Sequence, residues 1–272
     1  MSTGGQFRQL RILFLLLILF AVAASSLLTR WRTTSWERPL VVALYPVNGD
    51  GSEAASDYIA RLDRDSFADI ESFFEEEAAY YHLLLKQPFE LVMGPVLDEL
   101  PPQPPPQASI LGNVAWSLKI RWWAWRVARE QGPPADIQMF LLYFDPQGHP
   151  VLRHSLGLQK GLLGMVNLFA TRRMAGTNRL VIAHELLHTV GATDKYDPAT
   201  DLPVYPQGYA EPDRQPLLPQ VLAEIMAGRI PVAPGEAVQA RSLGQALIGP
   251  RTALEIRWLK ALPEAGATVA AD

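Results

Sequence analysis

The chain has 272 residues, a formal net charge of −4, 49% hydrophobic and 19% charged residues, enough apolar sequence for one large domain or two small ones. It carries no long basic run, which points away from nucleic acid as a partner. It has no cysteine, which excludes disulfides, iron–sulfur clusters and thiolate zinc sites, so any transition metal must be held by His, Asp or Glu.

Arg8 and Arg11 precede an apolar run from Ile12 to Ala24 that extends through Ser25 and Ser26 to Leu28. A membrane span needs about 20 apolar residues, with roughly 17 as the lower edge, so the run reads as a signal anchor or a signal peptide. "AVA" at Ala21 to Ala23 has the small-x-small form of a cleavage site. Leu27, Leu28 and the closing Arg30, Trp31 and Arg32 favour an uncleaved single-pass anchor. Residues 1–32 are therefore expected to hold the protein in a membrane, with 33–272 as its folded domain.

Pro39 to Val47 is rich in β-branched residues and bounded by "NGDG", so it reads as a buried strand. From Glu53 to about Leu85 the apolar spacing turns helical, with Glu75 to Glu77 on a solvated face. Pro88 to Leu97 reads as a second strand, and the proline-rich 101–106 as a stiff connector. Ala108 to Glu130 is a second long helix; of Trp122, Trp123 and Trp125, helix-on-sheet packing leaves one indole exposed. Asp136 to Phe144 is a third strand, and Val151 to Leu158 and Gly164 to Ala170 a fourth and fifth. Thr177 to Val190 is again helical, with Thr177 or Asn178 available as its cap. The layout is α/β: one mixed five-stranded sheet, two packing helices, then the helix carrying the histidines.

That helix leads into "HELLHTVGATDKY", His184 to Tyr196. Residues four apart stand on one helical face, so His184 and His188 can turn both imidazoles to one cation. Glu185 sits one step round, placed to reach a water on that cation, which is the mechanical content of the H-E-x-x-H pattern. The rest of the helix is apolar, and two buried histidines with a buried glutamate need partners there. Gly191 can take positive φ and turn the chain sharply, after which Asp194 can swing back to the metal.

At this point the sequence resembles the metzincin clan of zinc metallopeptidases. The clan carries two helical histidines, a glycine turn, and a third ligand three residues beyond the glycine; Asp194 resembles the aspartate variant of snapalysin-type enzymes. The resemblance implies zinc held by His184, His188 and Asp194, with Glu185 as general base in peptide-bond hydrolysis. It further implies a methionine turn, matched by Met226 in "AEIMAG", and a small C-terminal subdomain ending in a helix, matched by Arg251 to Leu262. It also implies a peptide or protein substrate bound as an added strand on the sheet edge, for which Val151 to Leu158 is the candidate. An open-sited hydrolase on an anchor is expected outside the cytoplasm, in the periplasm or the extracellular space. Three alternatives remain open in the sequence: Glu224 as third ligand, a zinc protein without turnover that acts by binding or scaffolding, and a calcium site at Asp197 and Asp201.

Overall fold

Five segments dense in Val, Leu, Ile and Phe pair into one sheet. A computed structural model of the chain describes residues 11–17, 20, 33–105, 109–159 and 162–262. The chain divides into two compact units, Met1–Trp36 and Glu37–Asp272, where the sequence reading places the division after residue 32.

In the first unit, residues 11–17 are helical, and residues 18–19 and 21–32 lie outside the described residues. Among the described residues no helix is long and apolar enough to cross a membrane. The expected anchor from Ile12 to Leu28 is corrected on that ground, and the expected location outside the cytoplasm falls with it.

In the second unit, β1 (Leu40–Asn48), β2 (Phe89–Met93), β3 (Ile137–Phe144), β4 (Leu156–Leu158) and β5 (Leu163–Phe169) form the sheet in the order β2-β1-β3-β5-β4. Neighbours run parallel except β4, which lies antiparallel to β5 at the sheet edge. Both faces are covered, which is why β1 and β3 read as near-continuous apolar runs. One face packs on α3 (Ile110–Gln131), the third helix of this unit, where Trp123 meets Phe140 edge-on at 4.7 Å between ring centroids. Tyr45, Leu142, Met165 and Val127 complete that core. Against the opposite face lie α1 (Glu53–Ile59) and α2 (Ala68–Tyr80), with Tyr58 against Tyr143 at 5.2 Å and Phe74 against Phe89 at 4.5 Å. The histidine helix, α4 (Ala175–Val190), completes that layer.

Local chemistry explains the departures from the sequence reading. The single helix expected from Glu53 to about Leu85 is broken, because Asp63 and Ser66 form a reciprocal capping box that starts a new turn at Arg64. Trp122 and Trp125 are both exposed, not one, since only Trp123 lies on the sheet-facing side of α3. Thr177 and Asn178 do not cap α4, which begins earlier, at Ala175. Instead the Asn178 carboxamide accepts from Phe169 N at 3.2 Å and donates to Phe169 O at 2.9 Å, fastening α4 to the exit of β5. Of Val151 to Leu158, only Leu156–Leu158 pairs as strand.

Past α4 the chain forms small two-stranded pieces: β6 (Tyr196–Asp197) with β7 (Leu202–Pro203), β8 (Ala223–Glu224) with β11 (Ala246–Leu247), and the hairpin of β9 (Arg229–Ala233) and β10 (Glu236–Gln239). It ends in α5 (Pro250–Glu255), shorter than the expected Arg251 to Leu262. A Schellman turn stops it: Arg257 takes φ 63, Trp258 N donates to Ala253 O at 2.7 Å, and Arg257 N to Leu254 O at 3.2 Å. The turn folds Trp258 back into the core.

Candidate metal centre

Helix α4 ends as its sequence dictates. Gly191 takes φ 112, Ala192 N donates to Leu187 O at 3.1 Å and Gly191 N to His188 O at 3.2 Å, a second Schellman turn. A side chain at 191 would be strained by that φ and would also strike Gln159. The turn carries Asp194 back over the helix, where Asp194 Oδ1 lies 3.2 Å from His184 Nε2 and 3.1 Å from His188 Nε2. The two Nε2 atoms are 3.1 Å apart. Among the described residues these three side chains form the group able to hold a metal ion.

The orientation of each ring is set from behind. His184 Nδ1 lies 2.9 Å from Ile225 O, and His188 Nδ1 lies 2.9 Å from Ala192 O. A carbonyl oxygen only accepts, so each Nδ1 carries the proton and each Nε2 of the neutral ring presents its lone pair. Two lone pairs and a carboxylate oxygen therefore converge on one point, an arrangement of three acceptors that a cation satisfies. Ligands about 2.0–2.1 Å from a tetrahedral zinc are about 3.3–3.4 Å apart. The separations of 3.1, 3.1 and 3.2 Å fall just inside that triangle, so the donor set and its spacing fit zinc. Burial alone would raise the Asp194 carboxyl, and the imidazoles outweigh it, holding Asp194 well below the usual carboxylate range. Burial also opposes a charged His184, and Asp194 with Glu185 more than offsets that, raising its pKa.

Glu185 is buried, and its Oε2 has no hydrogen-bond partner among the described residues. Desolvation pushes its carboxyl above the ordinary glutamate range against the pull of both histidines. It faces a cleft of about 1050 Å³ that also exposes His184 and Tyr196. One wall is the segment running into β4, another is α4, and a third is the β9–β10 hairpin. The burial of Tyr196, with Asp194 and Glu185 next, raises its phenol, which stays a neutral donor beside the site.

Glu224 is not among the gathered ligands. It is fully buried, and both carboxylate oxygens are committed: Oε2 accepts from Met226 N at 2.7 Å, and Oε1 from Thr252 Oγ1 at 2.6 Å and Gly249 N at 3.2 Å. Its role is to shape the turn holding Met226, which is itself buried. That turn serves the site through its backbone, Ile225 O to His184 and Met226 O to Lys195 N at 3.0 Å. Asp197 and Asp201 do not gather as a cation site. Asp197 Oδ1 accepts from Ala199 N at 2.8 Å, and Asp201 faces Arg229 at 3.8 Å.

Two parts of the site escape a reading of the motif alone. Lys195 does not pair with Asp194; it is buried, and its Nζ donates to Glu255 Oε2 at 2.8 Å and Thr193 O at 2.6 Å, clamping the ligand loop to α5. Gly157 of β4 lies against α4, where an added Cβ would stand 2.4 Å from Glu185 O and 2.6 Å from His188 Cβ. A glycine inside a strand is a signal of such close approach, but nothing local names the helix it meets. No family model matches this sequence, and no curated protein matches it at a significant level.

Proposed function

We propose that this chain is a zinc-dependent peptidase of the metzincin type that hydrolyses peptide bonds in the cleft beside His184 and Glu185. The observation that carries the reading is the convergence of three acceptor atoms, two of them oriented by backbone carbonyls, next to a buried carboxylate whose Oε2 has no hydrogen-bond partner among the described residues. The glycine turn, Asp194, the Met226 turn and an antiparallel edge strand beside the histidine helix support the resemblance to that clan.

His184, His188 and Asp194 would hold the metal. Zinc, when bound, polarises a carbonyl oxygen and makes water acidic enough to attack near neutral pH. Three protein ligands would leave a fourth position for water or substrate, as a catalytic zinc site requires. Glu185 would take the proton of the attacking water on Oε2 and return it to the leaving amine, and its raised pKa would suit both transfers. The outer edge of β4 and of the segment before it would hold the substrate strand by main-chain hydrogen bonds. Tyr196 would offer its hydroxyl to the developing charge on the scissile carbonyl.

The test is Glu185→Ala in the full chain. It is expected to keep close to one equivalent of zinc and to lose peptide hydrolysis by a factor of about 10²–10⁴. Cleavage at the parent rate would remove Glu185 from the reaction, and absence of zinc from the parent protein would remove the metal.

A further inference from the structure

The walls of the cleft have a charge opposite to that of the chain. The protein as a whole carries a net −4, yet Arg153, Arg173, Arg229 and Arg241 all line the cleft. The acids in its lining are Glu185, which the hydrolytic reading assigns to proton transfer, and Asp201, which faces Arg229 at 3.8 Å. Arg153, Arg173 and Arg241 have no carboxylate partner among the described residues, and all three are exposed. They come from three separate elements: the segment leading into β4, the turn before α4, and the strand exit after β10.

The rim that carries Arg153 is also fixed in place. Asn167 Nδ2 donates to Arg153 O at 3.2 Å and His154 O at 3.1 Å, and Asn167 N donates to Ser155 Oγ at 3.0 Å. One side of this extended segment is thereby tied to β5, and the other side borders the cleft. A strand laid along it would run beside Arg153 in the cleft that Arg173 and Arg241 also line.

We infer that the cleft selects acidic peptides, with aspartate or glutamate side chains near the bond at His184 and Glu185 received by Arg153, Arg173 and Arg241. Guanidinium groups suit carboxylates by their planar fork of donors. A cleft lined by one sign of charge also concentrates substrate of the other sign. The inference rests on the peptidase reading for the chemistry at Glu185, but the charge selection itself concerns binding.

The test therefore separates binding from turnover. Fluorescein-labelled, C-terminally amidated peptides carrying Glu and Asp are compared with their Gln and Asn counterparts, using zinc-loaded full chain with Glu185→Gln so that the probe stays intact. The acidic peptide is expected to bind about tenfold tighter at about 0.05 M salt, with the gap closing near about 0.5 M. Arg173→Glu with Arg241→Glu is expected to reverse the preference while the circular dichroism spectrum stays native. If that pair fails to fold, Arg153→Gln and Arg173→Gln singly are expected to narrow the gap severalfold. Equal affinity for both peptides, or a preference the arginine changes do not move, would overturn the inference. So would selection of a free C-terminal carboxylate on a neutral peptide with no response to acidic side chains. Parent protein that cuts neutral and acidic peptides alike would refute acid selection and leave the peptidase standing. Parent protein that binds acidic peptides selectively without cutting them would do the reverse.

Discussion

Gly157→Ala puts the seating of the edge strand on the histidine helix to a direct test. The added Cβ would lie 2.4 Å from Glu185 O, 2.6 Å from His188 Cβ and 3.1 Å from Glu185 Oε2. The first contact is about 1 Å short of ordinary packing, and it is made to backbone inside a helix, which cannot step aside. The strand must yield instead. β4 is three residues long and held on one side only, by its pairing with β5, so a shift of about 1 Å is feasible at an overpacking cost of about 1–3 kcal/mol. For a domain of this size, at about 2–4 °C per kcal/mol, that is a fall in Tm of roughly 2–12 °C. The same shift displaces the proposed substrate edge relative to Glu185, and a misplacement of about 1 Å costs on the order of 10²-fold in rate. Zinc content should change little, since it is the short edge strand, held on one side only, and not the helix carrying His184 and His188 that gives way. Thermal unfolding, metal analysis and peptide turnover on one preparation check all three. A variant with parental Tm and parental turnover would show that β4 does not sit against α4 as described.

Asp194→Ala is expected to strip the zinc and the hydrolysis, with Asp194→His retaining metal. Glu224→Ala should keep zinc binding after refolding but lower Tm, because it leaves buried donors at Met226, Gly249 and Thr252 unpaired; the opposite pair of results in metal analysis would make Glu224 the ligand. Glu77 is pushed up to about 7, first by burial, then by repulsion from Glu76 and Glu224, against the bond from Ile248 N. The folded state thus binds its proton more tightly than the unfolded chain, so this contribution is full below about 4.5 and lost as pH rises through 7, up to about 3 kcal/mol. Glu77→Gln should flatten the fall of urea midpoint between about pH 5 and 8, and an unchanged slope would refute the assignment. Lys195→Ala should cost about 1–3 kcal/mol by removing its charged bond to Glu255, which keeps Thr193 and Arg251 as partners, and should weaken zinc binding by loosening the Asp194 loop, read as Tm with and without chelator.

The histidine spacing, the glycine turn and Asp194 were legible in the sequence because they are local. An i, i+4 pair must share a helical face, and Gly191 needs only its own φ to turn the chain. β1, β3 and β5 were legible for a similar reason, since burial on both faces writes an apolar run into the strand itself; β4, a half-buried edge of three residues, carries no such run, and its bounds came from the fold. Their order in the sheet, and which of them meets α4, came from contacts between residues far apart in the chain. Nothing near His184 names Ile225 as the carbonyl that fixes its ring, 41 residues on, nor Glu255 as the partner of Lys195, 60 residues on. Glu224 shows the same limit from the other direction: its residue type qualifies it as a ligand, and only the fold, by surrounding it with donors from its own turn at Met226 and from Gly249 and Thr252 far along the chain, assigns it elsewhere. The arginines of the cleft are scattered over 89 residues of sequence, from 153 to 241, so their common field exists only once β4, α4 and the β9–β10 hairpin are brought together. Residue type and short spacing are properties of the chain, whereas a shared cavity, a buried partner and a shifted pKa depend on distances through space that folding alone sets.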